Sequence, residues 1–194
     1  MVNRVLQWLK LYVSNKGKIK EITEMLKGYK VVSAKELGFT EEVEENGKTF
    51  YENALIKAKA VATALNLPAL ADDSGICVDA LNGEPGIYSA RYAGDGIDEH
   101  NNQLLLKNLE NKDNRNAKFV CCMVYYKPSG EIVTASGETF GTILFKPEGT
   151  NGFGYDPIFY SLDLNKSLGI ATDEEKNSIS HRARALNKIK ELIK

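Results

Sequence analysis

The sequence predicts an α/β fold. Apolar runs of strand length alternate with segments whose apolar residues recur at helical spacing, most clearly in the first half of the chain. The punctuation between them consists of Gly, Pro, Asn and helix-capping patterns. A length of 194 residues fits one domain, large enough to bury about two-thirds of its unfolded surface.

Leu9 to Val13 reads as a short strand, and Ser14-Asn15-Lys16-Gly17-Lys18 turns it into a helix bearing Ile19, Ile22 and Leu26. Thr49-Phe50-Tyr51-Glu52 is a capping-box pattern, and the helix it opens carries Ala54, Leu55, Ala58, Val61, Ala62 and Leu65 on one face. Asn53 and Lys57, four apart, share another face. Two apolar runs, Ala69-Leu70-Ala71 and Ile76-Cys77-Val78, flank Asp72-Asp73-Ser74-Gly75, whose composition predicts a turn or a strand irregularity. Asn82 to Gly86 forces a loop, and a helix is expected from about Asp98 to Leu109. Phe119 to Tyr126 lacks alternation and should be a strand covered on both faces, with Pro128-Ser129-Gly130 turning it into a partner over Ile132 to Ser136. Gly149 to Tyr155 reads as a loop of exacting conformation; Thr172 to Glu175 and Ser180 then announce helices, the last bearing Ala183, Leu186, Ile189 and Ile193.

Composition excludes several functions. With 43% hydrophobic and 26% charged residues the chain is globular, and a net charge of −1 offers no overall field for nucleic acid, so any anion site is local. The apolar stretch near the N-terminus is interrupted by Arg4, Gln7 and Lys10 and is too short for a membrane span. No small-residue cleavage site follows it, so a cytoplasmic protein is expected. Cys77, Cys121 and Cys122 lack the spacing of a zinc site and read as small core residues with free thiols.

Three groups of residues carry chemistry. The Ser14 to Lys18 turn places a helix N-terminus, Gly17 and two lysines where a phosphate could be held, although a plain capped helix has the same pattern. Glu41, Glu42, Glu44 and Glu45, with Asp72 and Asp73, supply hard oxygens suited to Mg²⁺; a solvated loop accounts equally for the glutamates, whereas paired aspartates between apolar runs are costly to bury without partners. Gly152-Phe153-Gly154-Tyr155-Asp156-Pro157, with Lys176, His181 and Arg182, combines a flat aromatic face with groups able to bond to a base edge or a phosphate. A structural glycine turn and a surface His-Arg pair are the plainer readings of that last group.

In combined order these segments resemble the inosine triphosphatase, or Ham1-like, family from about Leu9 to Ile193. The matching stretches are Ser14 to Lys18, Thr49 to Ala54, Ala71 to Gly75, Pro85 to Arg91, Gly152 to Pro157, Glu175-Lys176-Asn177 and Ser180-His181-Arg182. The resemblance implies a single domain over 1–194, with residues 1–8 an N-terminal extension. Its fold would be an elongated, mixed, twisted sheet with flanking helices and two lobes around a substrate cleft.

The resemblance also implies roles. Val13, Ser14, Asn15, Lys16, Gly17 and Lys18 would embrace a triphosphate, joined by Lys57. Glu44 and Asp73 would bind Mg²⁺, with Asp73 also the catalytic base, and Ser74 would touch substrate. Phe153, Gly154, Tyr155 and Asp156 would surround the nucleoside, while Lys176, His181 and Arg182 would read the purine 6-oxygen. The reaction implied is hydrolysis of non-standard purine nucleoside triphosphates (ITP, dITP, XTP) to monophosphate and pyrophosphate by a homodimer, with no nucleic-acid or membrane partner. Val13-Ser14-Asn15 departs from the family's common Thr-Gly-Asn, which removes a hydroxyl contact. Two rivals stand beside this reading: a Maf-type pyrophosphatase for pyrimidine or modified nucleotides, and a nucleotide-binding module without turnover.

Overall fold

The computed structural model describes residues 8–12, 16–25 and 30–193. Val13, Ser14, Asn15, Leu26 and residues 1–7 lie outside the described residues, and for Lys16 and Gly17 only the backbone is described. The elements are β1 (Trp8–Tyr12), α1 (Lys16–Met25), β2 (Lys30–Ser33), α2 (Phe50–Leu65), β3 (Ala69–Val78), α3 (Asp98–Asn108), β4 (Asn116–Tyr126), β5 (Ile132–Ile143), β6 (Phe159–Ser161), β7 (Lys166–Ser167), α4 (Asp173–Ile179) and α5 (His181–Leu192). Strands are hydrogen-bonded in the order β2-β1-β3-β4-β5-β6-β7. β1 runs parallel to β2 and β3, and β6 runs antiparallel to β5 and β7, so the α/β fold is mixed as expected. Among the described residues no helix is long and apolar enough to cross a membrane.

The chain forms two compact units, and it passes from one to the other within β3, β4, β5 and α5. In the first unit, which includes the described residues up to Asp73 and Cys122–Ala135, α2 packs by its small face: Ala54 and Ala58 meet Ala71 and Val124, and Val61 and Ala62 meet Ala34, Phe39 and Ala69. Alanines at these positions let the helix approach the strands closely while keeping high helix propensity. Thr49 caps α2 by accepting from the Glu52 N–H at 3.1 Å, while the Glu52 carboxylate reaches back to the Lys48 N–H. In the second unit, Ser74–Cys121 and Ser136–Ala185, the core gathers Ile76, Val78, Leu105, Phe119, Ile158 and Phe159.

Three features differ from the sequence reading. Asp72-Asp73-Ser74-Gly75 makes no turn: β3 runs through it for 10 residues, because both aspartates find cationic partners and no longer need solvent. β5 extends past Ser136 to Ile143. Its glycines belong to the strand because neighbours approach closely: a Cβ on Gly137 would lie 2.2 Å from the His181 carbonyl oxygen, and one on Gly141 2.3 Å from that of Tyr160. Cys121 and Cys122 are buried, but Cys77 is only partly so; all three are free thiols.

Candidate active site

In the first unit the chemistry centres on the end of its stretch of β3. Adjacent strand residues face opposite sides, and Asp72 and Asp73 accordingly engage different lysines. Lys18 of α1 donates to Asp72 Oδ2 at 3.0 Å, and Lys57 of α2 donates to Asp73 Oδ1 at 3.0 Å. Both carboxylates are buried, at 3% and 6% exposure, as is Lys57 at 6%. Asn53, one turn before Lys57, gives its amide N–H to Asp73 Oδ2 at 3.3 Å and accepts the Gly47 N–H at 2.9 Å. That second bond fixes the acidic loop, and Lys57 also donates to Glu45 Oε1 at 3.1 Å.

The two inner glutamates of the acidic loop stand differently. Glu45 brings its carboxylate to Lys57, whereas Glu44 is exposed. Burial pushes the Asp73 carboxyl above the ordinary aspartate value against the pull of Lys57, and the Glu45 charge adds to the rise. Burial would lower Lys57, but Asp73, Asp72 and Glu45 together outweigh it and hold the ammonium above its usual value. The cluster thus offers a poised carboxylate beside fixed cations, a combination suited to deprotonating water near an anionic substrate.

In the second unit the loop before the short 3₁₀ turn Asp156–Ile158 wraps a buried acid. Asp156 Oδ2 accepts from the Phe153 N–H at 2.8 Å and from Lys176 Nζ of α4. Gly152, at φ +76°, would place a Cβ 2.1 Å from that same oxygen, so only glycine fits. Lys176 Nζ stands 4.3 Å from the centroid of the Phe153 ring and the Arg182 guanidinium 5.9 Å, both within cation–π range. Tyr155 is buried and donates its hydroxyl to the Ser89 carbonyl at 2.8 Å; burial raises its pKa. Ser180 opens α5 by accepting the Ala183 N–H at 3.1 Å. His181 then stacks on Phe119 with centroids 4.9 Å apart, and Arg182 is 1% exposed. The His-Arg pair is therefore no surface feature.

Residues 9–192 match the profile of the Ham1 family. The chain is 49% identical over 185 residues to the dITP/XTP pyrophosphatase of Bacillus subtilis (strain 168), covering 92% of this chain and 93% of that protein. It is 50% identical over 191 residues to the dITP/XTP pyrophosphatase of Desulforamulus reducens, covering 95% and 94%. The chain belongs to the Ham1 family. Its fold agrees with the solved Ham1 proteins of Staphylococcus aureus, at TM-score 0.88 and 44% identity over 96% of this chain and 98% of that one, and of Coxiella burnetii, at 0.88 and 37% over 97% and 98%.

Within this Ham1 chain the residues expected from sequence fall into two groups. Lys18, Lys57 and Asp73 come together in the first unit, and Phe153, Asp156, Lys176 and Arg182 in the second. Ser74 follows Asp73 on β3 and is half-buried. Sequence reasoning gave no role to Asn53 and did not single out Glu45 among the glutamates of its loop. The spacing of Asn53 four residues before Lys57 carried the first signal, but nothing in a run of glutamates tells which of them faces inward.

Proposed function

We propose that this chain hydrolyses ITP, dITP and XTP to the nucleoside monophosphate and pyrophosphate. The observation that carries the proposal is the pair of buried acid–lysine couples on consecutive positions of β3, Asp72 with Lys18 and Asp73 with Lys57. Its relatives in Bacillus subtilis and Desulforamulus reducens bear the name of that activity. Asp73 takes a proton from water as the water oxygen attacks the α-phosphorus, and the bond to the bridging oxygen breaks to release pyrophosphate. The raised pKa of Asp73 makes it a stronger base than an ordinary carboxylate, and Lys18 and Lys57 offset the charge growing on the leaving group.

The residues fit a Mg²⁺ ion. Asp73 and Glu45 are hard oxygen donors that already share one cation, the Lys57 ammonium, and Mg²⁺ needs only one or two such carboxylates besides phosphates and water. Asp73 and Glu45, with Glu44 from the same loop, would hold it; the ion would supply charge neutralisation and orientation of the triphosphate. Base recognition falls to Lys176, Arg182, His181 and the Phe153 loop. A cationic donor favours the 6-oxygen of hypoxanthine or xanthine over the 6-amino group of adenine, where facing donors would cost about 1–3 kcal/mol.

The decisive test is product analysis with ITP. IMP and pyrophosphate should appear with Mg²⁺ and vanish with EDTA; IDP and orthophosphate would reject the reading, as would undiminished turnover in EDTA. The family resemblance further supports a cytoplasmic homodimer, for which sedimentation of the purified chain as a monomer would be the contrary result.

A further inference from the structure

The Gly152 to Asp156 loop is gripped from a direction that its own sequence does not reveal. Asp98, the first residue of α3, accepts the Gly154 N–H on Oδ2 at 2.7 Å, and Asn102, one turn later, donates its amide to the Gly154 carbonyl at 3.0 Å. One helix face thus holds both polar groups of one residue. Gly154 sits at φ +62°, and a Cβ there would meet nothing within 4 Å, so the left-handed conformation follows from the grip rather than from crowding. α3 is itself anchored: Asn101, 1% exposed, accepts the Ala93 N–H at 2.7 Å and donates to the Ala90 carbonyl at 3.3 Å. Asn102 is 8% exposed, and its buried Oδ1 has no hydrogen-bond partner.

Gly154 lies between Phe153, whose ring faces Lys176 and Arg182, and Tyr155, bolted to Ser89. Whatever fixes Gly154 therefore constrains the backbone from which the Phe153 ring projects. We propose that Asp98 is a positioning residue for nucleobase recognition, acting through the Gly154 N–H. In this role it would act without touching base or phosphate. The inference rests on the proposed role of the Phe153 loop in reading the purine.

Asp98→Ala and Asp98→Asn test it, measured by ITP kinetics, IMP calorimetry and amide exchange at Gly154. Asp98→Ala should speed exchange of that amide, raise KM for ITP and weaken IMP binding by about fivefold or more, and leave kcat within about twofold. Asp98→Asn keeps an acceptor oxygen without the charge and should restore both KM and exchange protection. A normal KM in Asp98→Ala despite fast exchange overturns the proposal, as does a loss in Asp98→Asn equal to that in Asp98→Ala, which would make the charge rather than the bond responsible. A wild-type chain that neither hydrolyses ITP nor binds IMP refutes the reading of the site itself; intact wild-type recognition indifferent to both substitutions refutes only the role of Asp98.

Discussion

Lys57 is the residue on which the first unit's chemistry turns, because one ammonium serves Asp73 and Glu45 at once. The burial that lifts the Asp73 pKa is opposed mainly by that ammonium. As the proposed base, Asp73 would lose activity as pH falls through its raised pKa, so the acidic limb of the kcat profile should lie above the range of an ordinary aspartate. Lys57→Met removes the opposing charge, raises the Asp73 pKa further and should move that limb toward neutral pH. Lys57→Arg retains the charge and should leave the limb near its original place, even if phosphate contacts suffer. An acidic limb unmoved in Lys57→Met would mean that some other group titrates in the profile.

Among the elements, α4 shows how local signals deliver a buried lysine. It has only seven residues, yet it carries buried Lys176. Helices this short are marginal on their own. Thr172 accepts the Glu175 N–H at 3.2 Å, and Glu175 returns the bond to the Thr172 N–H at 2.9 Å, a complete capping box. Thr172→Ala should cost about 1 kcal/mol, read as a thermal midpoint lowered by about 2–4 °C, and Thr172→Ser should recover most of it. An unchanged midpoint would assign the start of α4 to tertiary packing instead.

That box and the α2 cap were legible in the sequence because each depends on residues within one turn, and the α3 span because it lies in one continuous segment of the chain. β3 was not, since Asp-Asp-Ser-Gly favours a turn until Lys18 and Lys57, distant in sequence, neutralise the aspartates. The second half of β5 escaped notice for a like reason: Gly137 and Gly141 are explained by what presses on them. In the site the cations and the Gly-aromatic loop could be read directly, whereas the inward turn of Glu45 and the grip of Asp98 exist only after folding.

For the molecule as a whole, the proposal divides labour between two compact units: phosphate chemistry by Lys18, Lys57 and Asp73, base reading by Phe153, Lys176 and Arg182. Ligands that bind only the folded state raise its stability by RT ln(1 + [L]/Kd), about 2.7 kcal/mol at one hundred times Kd. In a chain of this length that is a rise in thermal midpoint of roughly 5–10 °C. Pyrophosphate with Mg²⁺ and IMP should each produce such a rise in the wild type. Lys18→Ala should abolish most of the pyrophosphate shift and keep much of the IMP shift. Arg182→Ala should do the reverse, because its guanidinium stands by Phe153 and the proposal assigns it no phosphate contact. Removing a residue as buried as Arg182 will lower the ligand-free midpoint. That loss does not obscure the result, since each ligand shift is measured from the variant's own baseline. Equal attenuation of both ligands in both variants would mean that the units do not divide recognition in this way, and the assignment of Arg182 to the base would fall.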